Sequence, residues 1–177
     1  MAYGRRFILM LQFLTSIPVK INIKAQKEDY GKGLALAPAV GLIIGLIVTA
    51  AFFVLIKLFP ASIASVLTVA VYIRLTGGLH FDGLGDTADG LFSNRPKDKI
   101  LEIMKDSRVG TNALLTVAIT LLLYVAFINS LGDVSSELGD VPSLLILTLM
   151  PAAGRTGSLV GCGTSSYAGV SDGPGRW

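Results

Sequence analysis

The sequence predicts an all-α fold: a polytopic integral membrane helical bundle with a cytoplasmic acidic loop and a short amphipathic helix. Three observations predict it. Hydrophobic residues make up 52% of the 177-residue chain and charged residues only 15%, against about 25% charged in an ordinary soluble domain. Long uncharged runs recur, the first from Leu34 to Ile56, and about 20 apolar residues suffice for a helix to cross a bilayer. The remaining charge is gathered into short segments between those runs, above all residues 77–110. This pattern excludes a disordered chain, and the scattered Lys and Arg form no basic stripe of the kind that binds nucleic acid. The formal charge of +3 is read instead as topology information. A single cysteine, Cys162, excludes an internal disulfide and a thiolate cage, so any metal must use oxygen ligands or the one histidine.

The elements follow in chain order. Arg5 and Arg6 precede an apolar run, Phe7 to Leu14, that meets Thr15-Ser16-Ile17-Pro18 without a small-residue cleavage pattern. It is too short to span, and it is expected to form an interfacial or re-entrant helix rather than a cleaved signal. Residues 19–33 read as a polar loop. The first span covers about 34–56, and its Gly41-x-x-x-Gly45 pattern permits close approach of a second helix. A second, shorter span of about 61–76 follows Pro60, with Arg74 able to snorkel near its end. Spans at about 111–131 and 143–153 come after the polar segment 77–110. The loop between them holds Asp133, Glu137 and Asp140 but no Lys or Arg. Cytoplasmic loops are enriched in Lys and Arg, so the N-terminus and residues 77–110 are expected inside and the acidic loop outside.

Residues 77–110 carry the chemistry. Asp82, Asp86 and Asp89 fall at i, i+4 and i+7, and at about 100° per residue they share one face of a helix within an arc of roughly 60°. Like charges so placed repel, and a divalent cation would compensate them. An all-oxygen set suits a hard ion, Mg²⁺ or Mn²⁺, and Mg²⁺ completes its shell with water and phosphate oxygens. Phosphate or diphosphate chemistry is therefore expected. Gly77, Gly78, Gly83, Gly85 and Gly90 allow close backbone approach to a ligand, although glycine also weakens a helix, and a solvated turn-rich loop is the plainer alternative. A second cluster, Asp98, Glu102, Lys105, Asp106 and Arg108, reads as a short amphipathic helix opened near Pro96 and capped by Ser93 or Asn94. There Glu102 and Asp106 share a face, and Lys105 and Arg108 are placed to neutralise phosphate charge. His80 is a candidate base or phosphate contact, with a purely structural hydrogen bond as the ordinary alternative.

The stretch Gly77-Gly-Leu-His-Phe-Asp-Gly-Leu-Gly-Asp-Thr-Ala-Asp-Gly-Leu-Phe92, with Ile103-Met-Lys-Asp-Ser-Arg-Val-Gly110 and Phe13-Leu-Thr-Ser-Ile-Pro-Val19, resembles the signature of the cobalamin synthase family, the adenosylcobinamide-GDP ribazoletransferases. The resemblance covers residues 5–155. It implies a multi-pass enzyme of the bacterial inner membrane that joins adenosylcobinamide-GDP to α-ribazole, or to α-ribazole 5′-phosphate, with release of GMP and a requirement for Mg²⁺. On that basis Asp82, Asp86 and Asp89 are expected as metal ligands, and Asp106 as a further ligand or a proton-accepting base. Lys105 and Arg108 are expected on phosphate oxygens, with His80 orienting a phosphate or a water. The expected partners are the two substrates, membrane lipid, and either a second copy or other membrane-bound enzymes of the pathway.

After Gly154-Arg155 the chain becomes rich in glycine, serine and threonine, whereas the family continues with more membrane helices. Residues 156–177 are therefore expected to form a non-helical tail, with the chain truncated or frameshifted near Arg155. Two other functions fit parts of the pattern. A CDP-alcohol phosphotransferase also sets spaced aspartates beside glycine, but its Asp-Gly is followed by Ala-Arg and here Ala88 is followed by Asp89. A transporter or cation channel would place carboxylates within its spans, and these spans contain none.

Overall fold

Proline and glycine set the limits of the helices. The computed structural model describes residues 2–138 and 140–165, and every regular element among them is helical. Helix α1 (Ala2–Leu14) and helix α2 (Lys27–Leu34) come first. Helix α3 (Ala37–Leu58) has Pro38 in its first turn, where a missing N–H costs no intrahelical bond. Phe59 leaves α3 in an extended conformation and Pro60 precedes helix α4 (Ala61–Thr76). Gly77 and Gly78 follow with φ of 64° and 73°, a region that disfavours any side chain. This pair turns the chain through 90° into helix α5 (Leu79–Leu91). Helix α6 (Lys97–Ile103), helix α7 (Thr111–Leu138) and helix α8 (Asp140–Thr164) complete the order.

Among the described residues three helical stretches are long and apolar enough to cross a membrane: Ala37–Leu58, Thr111–Leu131 and Asp140–Thr164. Helix α4 occupies the expected 61–76, yet its 16 residues reach only about 24 Å at 1.5 Å per residue, short of a core about 30 Å thick. It becomes a fourth span only when joined to α5 as one bent pair. Rows of exposed apolar side chains, among them Leu114, Leu115, Ile119, Leu122 and Leu123 on α7, are the surface that lipid covers. The chain is a polytopic helical membrane protein.

Several expectations need correction. The polar loop of 19–33 contains α2, whose Asp29 accepts from the Gln26 backbone N–H and pairs with Arg5 at 2.8 Å. Residues 77–110 are two helices and a connecting turn rather than a loop. Helix α8 spans 140–164, not 143–153, and so takes in the start of the segment expected to be a tail. Its glycines weaken the helix, but Thr156, Ser158 and Thr164 each donate to the carbonyl four residues back, at 3.0, 3.3 and 2.9 Å. These bonds satisfy the hydroxyls inside the helix, so polar side chains do not end it. Residues 166–177 and the side chains of Asp133 and Glu137 lie outside the described residues.

The core joins α1, α3, α4, α7 and α8 through Leu9, Met10, Val40, Ile44, Val69, Ile128 and Leu147. Met10 on α1 is fully buried, so α1 packs into the bundle with its hydrophobic face. Helix α3 packs most extensively on α8. A methyl at Gly41 would lie 2.7 Å from both Ala152 Cα and Pro151 O, and one at Gly45 would collide with the Thr148 carbonyl. The small-residue pair is thus used within the chain, and a Thr49–Thr148 hydroxyl hydrogen bond of 2.9 Å crosses the same contact.

Candidate active site

The 90° corner lays α5 across the end of the bundle, where it packs on α7 and α6. Its glycines make that packing close. A methyl at Gly85 would stand 3.2 Å from Ala113 Cβ, and one at Gly90 would stand 2.6 Å from Met104 Cγ. One edge of α5 then forms a wall of a cleft of about 970 Å³. The segment from Met104 to Val109 lines the same cleft, as do Phe13, Thr15 and Ser16.

Six of the seven expected site residues line this cleft: Asp82, Asp86, Asp89, Lys105, Asp106 and Arg108. They come from positions up to 26 residues apart in sequence, brought together because α6 folds the chain back onto α5. His80 is the exception. It does not line the cleft, since its position on α5 is roughly 150° around the helix from the carboxylate edge. It lies instead within electrostatic reach of Arg155. Phe81 also lines the cleft and joins Tyr72 and Tyr124 in an edge-to-face cluster with centroids 5.7–6.4 Å apart.

The acidic residues differ in what holds them. Asp82 is exposed and Asp86 half-buried, and neither has a hydrogen bond or ion pair among the described residues. Asp89 is engaged: its carboxylate accepts from the Gly110 N–H at 2.6 Å and the Ala113 N–H at 2.9 Å. Asp106 is engaged differently, accepting from Arg108 Nε at 3.1 and 3.0 Å and from the Arg108 backbone N–H at 3.0 Å. Those hydrogen bonds hold its pKa down at about 2, a value that makes it a poor proton acceptor near neutral pH. The expected Glu102–Asp106 pair does not form, because α6 ends at Ile103 and leaves Asp106 in the following turn. Glu102 pairs with Lys99 at 2.6 Å on the surface. Pro96, not Ser93 or Asn94, occupies the N-cap of α6.

Sequence reasoning passed over Thr15 and Ser16, Gly110 and Arg155. Ser16 is anchored by its N–H to the Leu75 carbonyl at 2.7 Å, a contact between distant segments with no local signal. Arg155 is 2% exposed on α8, donating Nη1 to Pro151 O at 3.0 Å. Its Nε and Nη2 find no acceptor among the described residues.

The sequence profile of the cobalamin-5-phosphate synthase family matches residues 6–177. This chain belongs to that family. Its relatives include adenosylcobinamide-GDP ribazoletransferases of Acetivibrio thermocellus, 51% identical over 99% of this chain and 68% of the relative, and of Clostridium acetobutylicum, 50% identical over 99% and 67%. A third, from Alkaliphilus metalliredigens and of the same name, is 45% identical over 97% of this chain and 65% of its own length. The chain thus spans about two thirds of the length of these relatives. No solved structure matches it. The family match runs through Arg155 to residue 177, across the point where a change of reading frame was expected. It also covers the whole aspartate segment, which leaves the phosphotransferase and channel alternatives without support.

The resemblance in sequence implied Mg²⁺, and the donor set bears on which residues would suit such an ion. Among the described residues no three His, Cys, Asp or Glu side chains come close enough to share one ion, so Asp82, Asp86 and Asp89 are not a preassembled triad. Asp82 and Asp86 remain as two free carboxylates one helical turn apart. That is the number Mg²⁺ commonly takes from protein when substrate phosphates supply further oxygens. The residues fit the ion as a pair.

Proposed function

We propose that the chain is an adenosylcobinamide-GDP ribazoletransferase, which joins adenosylcobinamide-GDP to α-ribazole or its 5′-phosphate and releases GMP. The observation that carries this reading is identity of 50–51% over 99% of the chain to proteins of that name. The cleft supplies what the reaction needs. A hydroxyl of α-ribazole attacks the phosphorus attached to cobinamide, the bond from that phosphorus to the bridging oxygen breaks, and GMP departs with that oxygen. Both the diphosphate and the departing GMP carry negative charge, which must be neutralised without slack in the geometry.

Asp82 and Asp86 are the residues that would hold Mg²⁺. An ion held there would supply positive charge to offset that of the diphosphate and of the leaving phosphate. Lys105 and Arg108 line the same cleft and bind phosphate oxygens. Asp106 holds the Arg108 guanidinium in a two-oxygen contact, which fixes the plane that the guanidinium presents to substrate. It does so as a permanent carboxylate, not as the base. His80, on the far face of α5, takes no part in the chemistry.

The same reading places the protein in the bacterial inner membrane with the cleft in the cytoplasm. Thr15 and Ser16 line the cleft with Asp82, so the N-terminal segment with Arg5 and Arg6 lies at the cleft end of the bundle, while residues 132–142 contain no Lys or Arg. Positive charge collects on the cytoplasmic side. The test is to follow GMP release from membranes containing this chain, adenosylcobinamide-GDP, α-ribazole and Mg²⁺, beside an EDTA control. Metal-dependent GMP formation with a cobalamin product is expected. Absence of product at full incorporation into membranes would refute the assignment for this chain.

A further inference from the structure

Two adjacent residues of α5 touch the two ends of one functional segment. Gly90 packs against Met104, where an added methyl would stand 2.6 Å from Met104 Cγ. Asp89 accepts from the N–H of Gly110 and of Ala113, at 2.6 and 2.9 Å. Between Met104 and Gly110 lie Lys105, Asp106 and Arg108, the charged wall of the cleft. A methyl at Gly110 would fall 2.5–2.7 Å from the atoms of the Asp89 carboxylate, so a larger residue there must push the carboxylate aside. Both oxygens of that carboxylate are directed at the first turn of α7, whose free N–H groups and positive dipole end favour a negative charge.

We propose that Asp89 is a positioning residue rather than a metal ligand: its carboxylate clasps the first turn of α7 and so fixes the 104–110 segment that carries Lys105 and Arg108 into the cleft they share with Asp82 and Asp86. The proposal rests on the transferase reading for its kinetic consequences, but the clasp is a statement about structure and is testable without turnover. The carboxylate edge of α5 therefore divides in two. Asp82 and Asp86 are left for substrate and ion, whereas Asp89, though it also lines the cleft, spends its carboxylate on the protein. A third carboxylate in the ion's shell is not needed, and the spacing i, i+4, i+7 reflects two jobs on one helix face.

Asp89→Asn and Gly110→Ala test this from the two sides of the contact. Asparagine keeps the shape of aspartate and one accepting oxygen, but presents an NH₂ to the second N–H donor. Alanine at Gly110 leaves the carboxylate intact and displaces it. Both variants are expected to raise the KM for adenosylcobinamide-GDP about tenfold or more, as displaced substrate-binding groups do. Half-saturation by Mg²⁺ should stay within about twofold of native, while Asp86→Asn shifts it by about tenfold or more. Amide hydrogen exchange over residues 104–113 should be faster in both variants than in the native chain, with or without substrate. An Asp89→Asn variant whose Mg²⁺ requirement rises as much as that of Asp86→Asn would overturn the proposal, and so would native exchange rates over 104–113 in both variants. Failure of the native chain to release GMP would instead count against the transferase reading, with the exchange measurement still deciding the clasp.

Discussion

The contact between α3 and α8 makes a quantitative demand on two glycines. Alanine at Gly41 would place its methyl 2.7 Å from Ala152 Cα and from Pro151 O, where ordinary contact begins at 3.4 Å. Alanine at Gly45 meets the Thr148 carbonyl more severely still. These are backbone atoms, so no rotamer change relieves the overlap and the helices must separate. A separation of about 1 Å stretches the 2.9 Å Thr49–Thr148 hydrogen bond past bonding range, a loss of about 0.6 kcal/mol for a bond within a membrane bundle. Forced repacking adds about 1–3 kcal/mol. Gly45→Ala is therefore expected to destabilise the bundle by about 1.5–3.5 kcal/mol, read by circular dichroism during SDS titration from bicelles. Gly154→Ala is the control, because a methyl at Gly154 meets nothing within 4 Å and should be neutral or stabilising by up to about 1 kcal/mol. Equal stability of Gly45→Ala and Gly154→Ala would refute the packing argument.

Asp82→Asn and Asp86→Asn should each raise the Mg²⁺ concentration for half-maximal GMP release by about tenfold or more, and an unchanged requirement in both would remove them as ligands. His80→Gln should keep turnover within about threefold of native, far from the 10²–10⁴-fold loss that removal of a general acid or base brings; initial rates decide this. For Asp106 the folded pKa lies below the unfolded value, so its pairing with Arg108 is fully present above about pH 4 and lost only as pH falls toward about 2. The ratio of kcat/KM between native and Asp106→Asn should accordingly stay flat from about pH 5 to 8, and a ratio that rises through a neutral pKa would restore the base role.

How much of this was legible in the sequence depends on how local the information is. The runs at 34–56 and 111–131 announce themselves, since a long uncharged stretch has few other uses. The shared edge of Asp82, Asp86 and Asp89 follows from helical periodicity alone, and so does the isolation of His80 once the same arithmetic is applied to it. The extension of α8 past residue 153 was hidden, because glycine, serine and threonine read as loop until their hydroxyls are seen bonding back to the helix. The roles of Asp89 and Gly110 were hidden for another reason. They are 21 residues apart, and only the fold of α5 against α7 brings them into contact. Ser16 and Arg155 owe their positions to equally distant neighbours.

The glycines of the corner and of α5 also set an order of events. The left-handed pair at 77 and 78 stops helical structure in α4 from propagating into α5. Within its 13 residues, α5 carries Gly83, Gly85 and Gly90, each costing about 1 kcal/mol relative to alanine, in a length at which an isolated helix is marginal. Helix α5 therefore borrows its order from α6 and α7. The cleft surface on α5 is therefore expected to set after the long apolar helices and to melt before them, so that warming or a weakened first turn of α7 abolishes turnover while the bundle beneath it still stands.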